Sequence, residues 1–266
     1  MAPWTRRAFA GVLAVMASAT LIRAQQAPGR GAPPPVPRAA APVDLTGVWV
    51  SVVSEDWRWR MISPPKGDYA SVPLTPAGKA LADQWDPAKD EAAGEQCRSY
   101  AAPAIMRVPG RVRISWQDDY TVKVETDAGT QIRLFQFQRP DGEPLNAGAA
   151  QPTWQGFSIA RWESQLGPST GGGFGRGGGV PPTTRSLQVV TSRIRPGYLR
   201  KNGVPFSANA TVTEYYDTWR DTSGQWLTVM TVVRDPQYLR QPFVTTTDFK
   251  KESDASKWDP TPCQAR

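Results

Sequence analysis

The stretch Pro152-Thr153-Trp154-Gln155-Gly156-Phe157-Ser158-Ile159-Ala160-Arg161-Trp162-Glu163 decides how this chain is read. It opens with a proline that cannot donate to a central sheet ladder, passes a permissive glycine, and then alternates. Phe157, Ile159, Arg161 and Glu163 fall on one face, and Ser158, Ala160 and Trp162 on the other. A half-solvated strand keeps its inner face apolar. Here two ionisable groups share a face with two large apolar ones. That mixture predicts a strand lining a cavity, or one whose charges are paired.

Outward from this strand, similar segments recur between turn residues. Asp44–Val53, Arg111–Trp116, Tyr120–Thr126, Thr130–Phe137, Leu187–Ile194, Ala210–Asp217, Trp226–Val233 and Phe243–Phe249 are rich in β-branched and aromatic residues, which suit a pleated surface. With Gly156–Glu163 they make about nine strands. One short helix is predicted from Pro76 to about Trp85, with Thr75 as its cap and Pro76 at the favoured first position. The expected fold is mainly β, a single antiparallel barrel of about nine strands or a sandwich of the same strands. The barrel is preferred, filled from Trp49, Val112, Ile114, Trp116, Val122, Val124, Ile132 and Leu134.

The N-terminus reads differently. Residues 1–24 carry Arg6 and Arg7, an apolar run from Ala8 to Ile22, and the small residue Ala24. This is the pattern of a cleaved export signal, and the run is shorter than the ~20 residues that span a bilayer. The Arg6-Arg7 pair also fits a twin-arginine signal. A periplasmic or secreted protein is expected, with no stable membrane insertion after cleavage. Residues 25–42, rich in Pro, Ala and Gly, read as a disordered tether. One β-rich domain, 43–266, follows, with a flexible glycine-rich loop at 167–183 that lacks the lysine of a phosphate loop. The formal charge of +7 falls to +2 once residues 1–42 are set aside. Nucleic acid is therefore not an expected partner.

The chain has no histidine and two cysteines. Histidine relays, histidine zinc sites and histidine-ligated haem are excluded, and no metal or cofactor is expected. Cys97 and Cys263 read as a disulfide in an exported chain. Asp86, Asp90, Glu91 and Glu95 match no calcium-loop spacing and read as a solvated face.

Candidate ligand-binding residues come in three groups. On Glu55–Arg60, strand alternation would put Trp57 and Trp59 opposite Arg58 and Arg60, either as core indoles or as a rim that stacks on a flat ligand. Asp127, Gln131 and Arg133 would line a cavity with Trp154, Arg161 and Glu163, unless Arg133 bridges to Asp127 or Glu163. Tyr198, Arg200 and Asn202 precede Gly203 in a loop placed to close the mouth, or to make an ordinary turn.

Several motifs also carry a resemblance. They are Cys97 with Pro103-Ala104-Ile105-Met106-Arg107, Asp127-Ala128-Gly129-Thr130-Gln131-Ile132-Arg133 and the opening stretch. Gly203-Val204-Pro205-Phe206-Ser207, Thr213-Glu214 and Asp235-Pro236 complete the set. Together they resemble a widespread family of exported bacterial β-rich proteins. That family has no assigned activity to carry over. Its members often hold histidine near the positions of Gly148 and Phe206, where this chain has none. Gly47-Val48-Trp49 is similar to the Gly-x-Trp opening of lipocalin-like barrels.

Three functions compete. The first is binding of a small hydrophobic or aromatic molecule in a barrel-like cavity, suggested by ten tryptophans after the leader. The second is a carboxylate and arginine enzyme such as a lyase, isomerase or hydrolase, with Glu163 or Glu214 as acid–base residue. The third is a structural or assembly role in the cell envelope.

Overall fold

The computed structural model describes residues 35–163 and 186–266. The segment expected to be an export signal, 1–24, most of the expected tether and the glycine-rich loop expected at 167–183 lie outside the described residues.

Nine strands close a barrel. In chain order they are β1 (Gly47–Val52), β2 (Arg111–Asp118), β3 (Thr121–Thr126), β4 (Ile132–Phe137), β5 (Phe157–Trp162) and β6 (Leu187–Ser192). A separate hairpin, β7 (Gly197–Arg200) and β8 (Val204–Phe206), precedes β9 (Thr211–Asp221), β10 (Gly224–Arg234) and β11 (Phe243–Lys251). Round the barrel the order is β1-β11-β10-β9-β6-β5-β4-β3-β2.

The fold is mainly β, as expected, and closed rather than stacked in two sheets. It is not antiparallel throughout, because β4 and β5 run parallel. Counting makes this unavoidable. Strand direction must reverse an even number of times round a closed ring, so nine strands need at least one parallel neighbour. Residues 138–156 supply the long crossover that a parallel pair requires.

Four short helices stand where one was expected: α1 (Trp57–Arg60), α2 (Pro76–Ala82), α3 (Pro87–Ala92) and α4 (Ala102–Ile105). The Thr75 hydroxyl accepts from Gly78 N at 3.1 Å, and Pro76 takes the first helical position. Asp86 caps α3 in the same way, accepting from Ala88 N at 3.1 Å. A 3₁₀ turn over Gln96–Tyr100 follows α3.

The lumen is packed with Trp49, Phe135, Leu187, Tyr216, Leu227 and Phe249, all essentially out of solvent. Ile132 and Leu134, expected inside, are exposed, and it is Arg133 and Phe135 that point in. At the end of the barrel where β9 starts, Val212, Val233 and Phe243 pack against Ala101, Ala102, Leu199 and Phe206. The helices and the β7–β8 hairpin thus close that end. At the opposite end, the Trp116, Phe137 and Trp162 rings meet at centroid distances of 5.6–6.4 Å. The Trp162 indole donates to Pro37 O at 2.8 Å there, and Arg38 N donates to Asp119 O at 3.2 Å. The last residues of the segment expected to be a tether therefore lie against the barrel.

Candidate functional site

The main hollow lies outside the lumen, between the helical cap and the hairpin. It begins with α2, which Thr75 anchors through its backbone N–H to Tyr238 O at 2.9 Å and its hydroxyl to Gln237 O at 3.1 Å. A side chain at Gly78 would meet Tyr238 O at 2.8 Å, so only glycine allows α2 to sit this close. Trp85, just beyond α2, packs against Gly203 in the β7–β8 turn. Gly203 has φ of 79°, and an added Cβ would come within 2.1 Å of Trp85. Ser207, after β8, donates from N and Oγ to the two Asp235 carboxylate oxygens at 2.6 and 2.8 Å. These contacts hold open a cleft of about 790 Å³ walled by Trp85, Tyr198, Pro205, Phe206 and Tyr238.

Its polar floor is a three-residue network. Arg98 Nη1 donates to Asp90 Oδ1 at 2.8 Å and to the Tyr198 hydroxyl at 3.1 Å. The Tyr198 hydroxyl donates in turn to Asp90 Oδ2 at 3.0 Å. Burial pushes Tyr198 up to about 12; Arg98 opposes that shift and Asp90 reinforces it. Burial alone would lower the Arg98 pKa, but Tyr198, Asp90 and Glu95 leave it raised. At neutral pH the floor is a neutral phenol beside the Arg98–Asp90 ion pair.

The disulfide supports this floor. Cys97 and Cys263 are joined with Cα atoms 5.1 Å apart, tying the 3₁₀ turn to the chain terminus. That turn carries Arg98 into the cleft.

Comparison with known proteins returns no match. No family model, curated protein or solved structure matches this chain.

Of the expected site residues, only Tyr198 lines the cleft. Trp57 and Trp59 are on a helical turn rather than a strand, because Asp56 turns the chain at φ of 52°. Trp57 is therefore exposed, while Trp59 donates to Asp68 Oδ2 at 3.2 Å. Asp127 is a turn residue, accepting from Arg111 N and Ala128 N at 2.6 Å each. Gln131 donates to Gly129 O at 2.6 Å and accepts from Gln155 at 2.9 Å. Trp154 packs against the cluster under the helices, with the Arg195 guanidinium 4.5 Å from its ring centroid.

The face of β5 that mixes apolar and charged groups is the outer one. Arg161 is 70% exposed and 3.8 Å from Glu163, which accepts from Gln188 at 2.8 Å. The alternation was read correctly, but the inward face is Ser158, Ala160 and Trp162. Arg133 pairs with Glu214, not with Asp127 or Glu163. Arg200 donates to Ala70 O at 2.7 Å and Asn202 to Asp68 O at 2.9 Å, so both pin the 65–71 loop.

Sequence reasoning missed Trp85, Asp90, Arg98, Phe206 and Tyr238. Asp90 was grouped with solvated acids, yet it is buried, because Arg98 and Tyr198 both reach it. The available signal was Arg98 itself, adjacent to a cysteine that fixes its position.

Among the described residues, no three metal-ligating side chains converge, and no helix is long and apolar enough to cross a membrane.

Proposed function

We propose that this is an exported binding protein that holds a small hydrophobic or aromatic molecule in the cleft beside the barrel. The observation that carries this reading is the cleft itself. Its volume of about 790 Å³ lies in the range of roughly 300–1,000 Å³ typical of ligand pockets. Indole, phenol and proline surfaces wall part of it, the Asp90–Arg98–Tyr198 network forms its floor, and Asp86, Lys89 and Gln237 line its rim. The floor favours binding over proton transfer, since a general acid or base works best with a pKa near the working pH. Tyr198 at about 12 is far from that. The leader pattern and the disulfide support export, as does the resemblance of the motif set to that of exported β-rich proteins.

The experiment is mass spectrometry of the protein purified under native conditions from its own host, with Trp85→Ala in parallel. A co-purifying aromatic or apolar molecule that is lost from the variant supports the reading. Protein that carries nothing, with Trp85 fluorescence unmoved by a panel of aromatic acids and alcohols, sinks it. The packed lumen favours the second reading, a structural role in the cell envelope.

A further inference from the structure

Strand β7 separates two hollows. Tyr198 faces the cleft, whereas Leu199, Arg200 and Lys201 border a smaller recess of about 40 Å³. The two share no lining residue. Arg60 from α1, Arg107 from just after α4 and Arg200 from β7 meet in the smaller one with Ser99, Lys201 and Trp59. The three arginines are 92–96% buried, with exposures of 8, 5 and 4%. No aspartate or glutamate lines the recess.

Carboxylates beside it only partly offset this charge. Glu55 lies 3.5 Å from Arg60 Nη1, and Asp56 accepts from Arg107 Nη2 at 2.7 Å. Arg200 has only neutral hydrogen-bond partners, the Ala70 carbonyl and the Ser71 hydroxyl at 3.0 Å, with the Trp59 ring centroid 4.6 Å away. Lys201 donates to the Tyr100 hydroxyl at 2.7 Å. Among the described residues, neither Arg200 nor Lys201 has a carboxylate within ion-pair distance.

Five buried donors at this recess make no hydrogen bond: Arg60 Nη1 and Nη2, Arg107 Nη1, Arg200 Nε and Ser99 Oγ, although Arg60 Nη1 lies 3.5 Å from Glu55 Oε1. A guanidinium taken out of water and left short of acceptors is costly, and like charges brought together add to that cost. Burial, with Arg107 nearby, lowers Arg200 to about 10 against the opposing pull of Asp56 and Asp68. Three arginines from distant parts of the chain have been brought into one recess and left with N–H groups that no acceptor meets.

The geometry points to a binding site for a small oxyanion, the size of a carboxylate group, held by Arg60, Arg107, Arg200 and Ser99. Guanidinium forks match carboxylate and phosphate oxygens. The recess admits a headgroup rather than a whole aromatic molecule, so its occupant differs from that of the cleft. Either site can fail without the other.

The test uses the full exported chain, followed by thermal unfolding and calorimetry with sodium acetate or sodium phosphate. Sodium chloride at matched ionic strength is the control. A saturable rise in Tm with acetate or phosphate, absent with chloride, is expected. Acetate alone acting identifies a carboxylate, and phosphate alone identifies an inorganic oxyanion. Arg200→Lys should weaken binding about tenfold or more, as loss of a charge-assisted bond predicts. Ser99→Ala should weaken it by a smaller factor, and it decides the matter if Arg200→Lys does not fold. A Tm response no larger than that to chloride, or equal affinity in the variants, overturns the assignment.

Discussion

Arg133 of β4 and Glu214 of β9 meet inside the barrel as a two-pronged pair, Nη1 to Oε1 at 2.8 Å and Nη2 to Oε2 at 2.5 Å. Both side chains are fully buried. The network reaches across four neighbouring strands. Arg133 Nη2 donates to Thr191 of β6 at 3.3 Å, and Thr191 shares a 2.8 Å hydrogen bond with Ser158 of β5. Glu214 also accepts from Tyr216 at 3.2 Å. Removing one partner strands the other's charge, which typically costs ~3–5 kcal/mol. Glu214→Gln and Arg133→Met should each lower the unfolding free energy from urea titration by about that amount. The pair changed together to apolar residues should recover part of the loss, giving strong non-additivity.

Arg161 and Glu163 should behave in the opposite way. Their 3.8 Å contact is solvent-facing on the Arg161 side, and such pairs contribute roughly 0–1 kcal/mol. Gln188, which donates to Glu163, keeps a 3.0 Å hydrogen bond to the Tyr215 hydroxyl when Glu163 is removed. Urea midpoints of Arg161→Ala, Glu163→Ala and the double variant should therefore show small, additive losses. A large coupling would mean that the outer face of β5 carries more of the fold than its exposure indicates.

The difference between these two arginines also shows what was legible in the sequence. Runs of β-branched and aromatic residues between turns located all nine barrel strands, and Thr75-Pro76 located α2. Alternation cannot say which face is inward when a buried arginine competes with Ile132 and Leu134. That answer depends on Glu214, 81 residues away. The same blindness reversed β5. Trp57 to Arg60 read as a strand because the left-handed backbone at Asp56 leaves no compositional trace. The cleft was legible only through Tyr198, since its other walls come from α2 and α3, the 3₁₀ turn, the short strand β8 and the segment around Tyr238.

Three tyrosines make stability sensitive to alkali. Burial first, then hydrogen bonding to Asp83, raises Tyr69 to about 12, and burial raises Tyr198 to about 12. Burial and then Glu214 raise Tyr216 well above its ordinary value. An unfolded tyrosine ionises near ~10. Between about 10 and 12 the unfolded chain loses protons that the folded one keeps, so stability is intact below 10 and falls as pH rises. Urea midpoints across that window, with tyrosinate absorbance in parallel, should show the fall. Tyr198→Phe should flatten it.

The Cys97–Cys263 bridge closes a loop with a sequence separation of 166. On chain-entropy grounds a loop of that length contributes roughly 5 kcal/mol by restricting the unfolded chain. Peptide mapping without reductant should find one bridged pair. Changing both cysteines to serine should lower Tm markedly. It should also loosen Arg98, because the 3₁₀ turn then loses its tie to the C-terminus. Two free thiols in exported protein would defeat both expectations.

Gly203 carries the most direct link between backbone and cleft. Its φ of 79° suits glycine, and another residue there costs roughly 1–2 kcal/mol in backbone strain alone. An alanine Cβ would also lie within 2.1 Å of the Trp85 Cβ and 2.2 Å of its Cγ, so the indole has to move. Trp85 is a wall of the cleft and is nearly buried. Gly203→Ala should therefore lower the urea midpoint and shift Trp85 emission to longer wavelength. It should also weaken binding of any cleft ligand, even though residue 203 does not line the cleft. Unchanged Trp85 emission in a folded Gly203→Ala variant would show that the β7–β8 turn does not set the cleft wall.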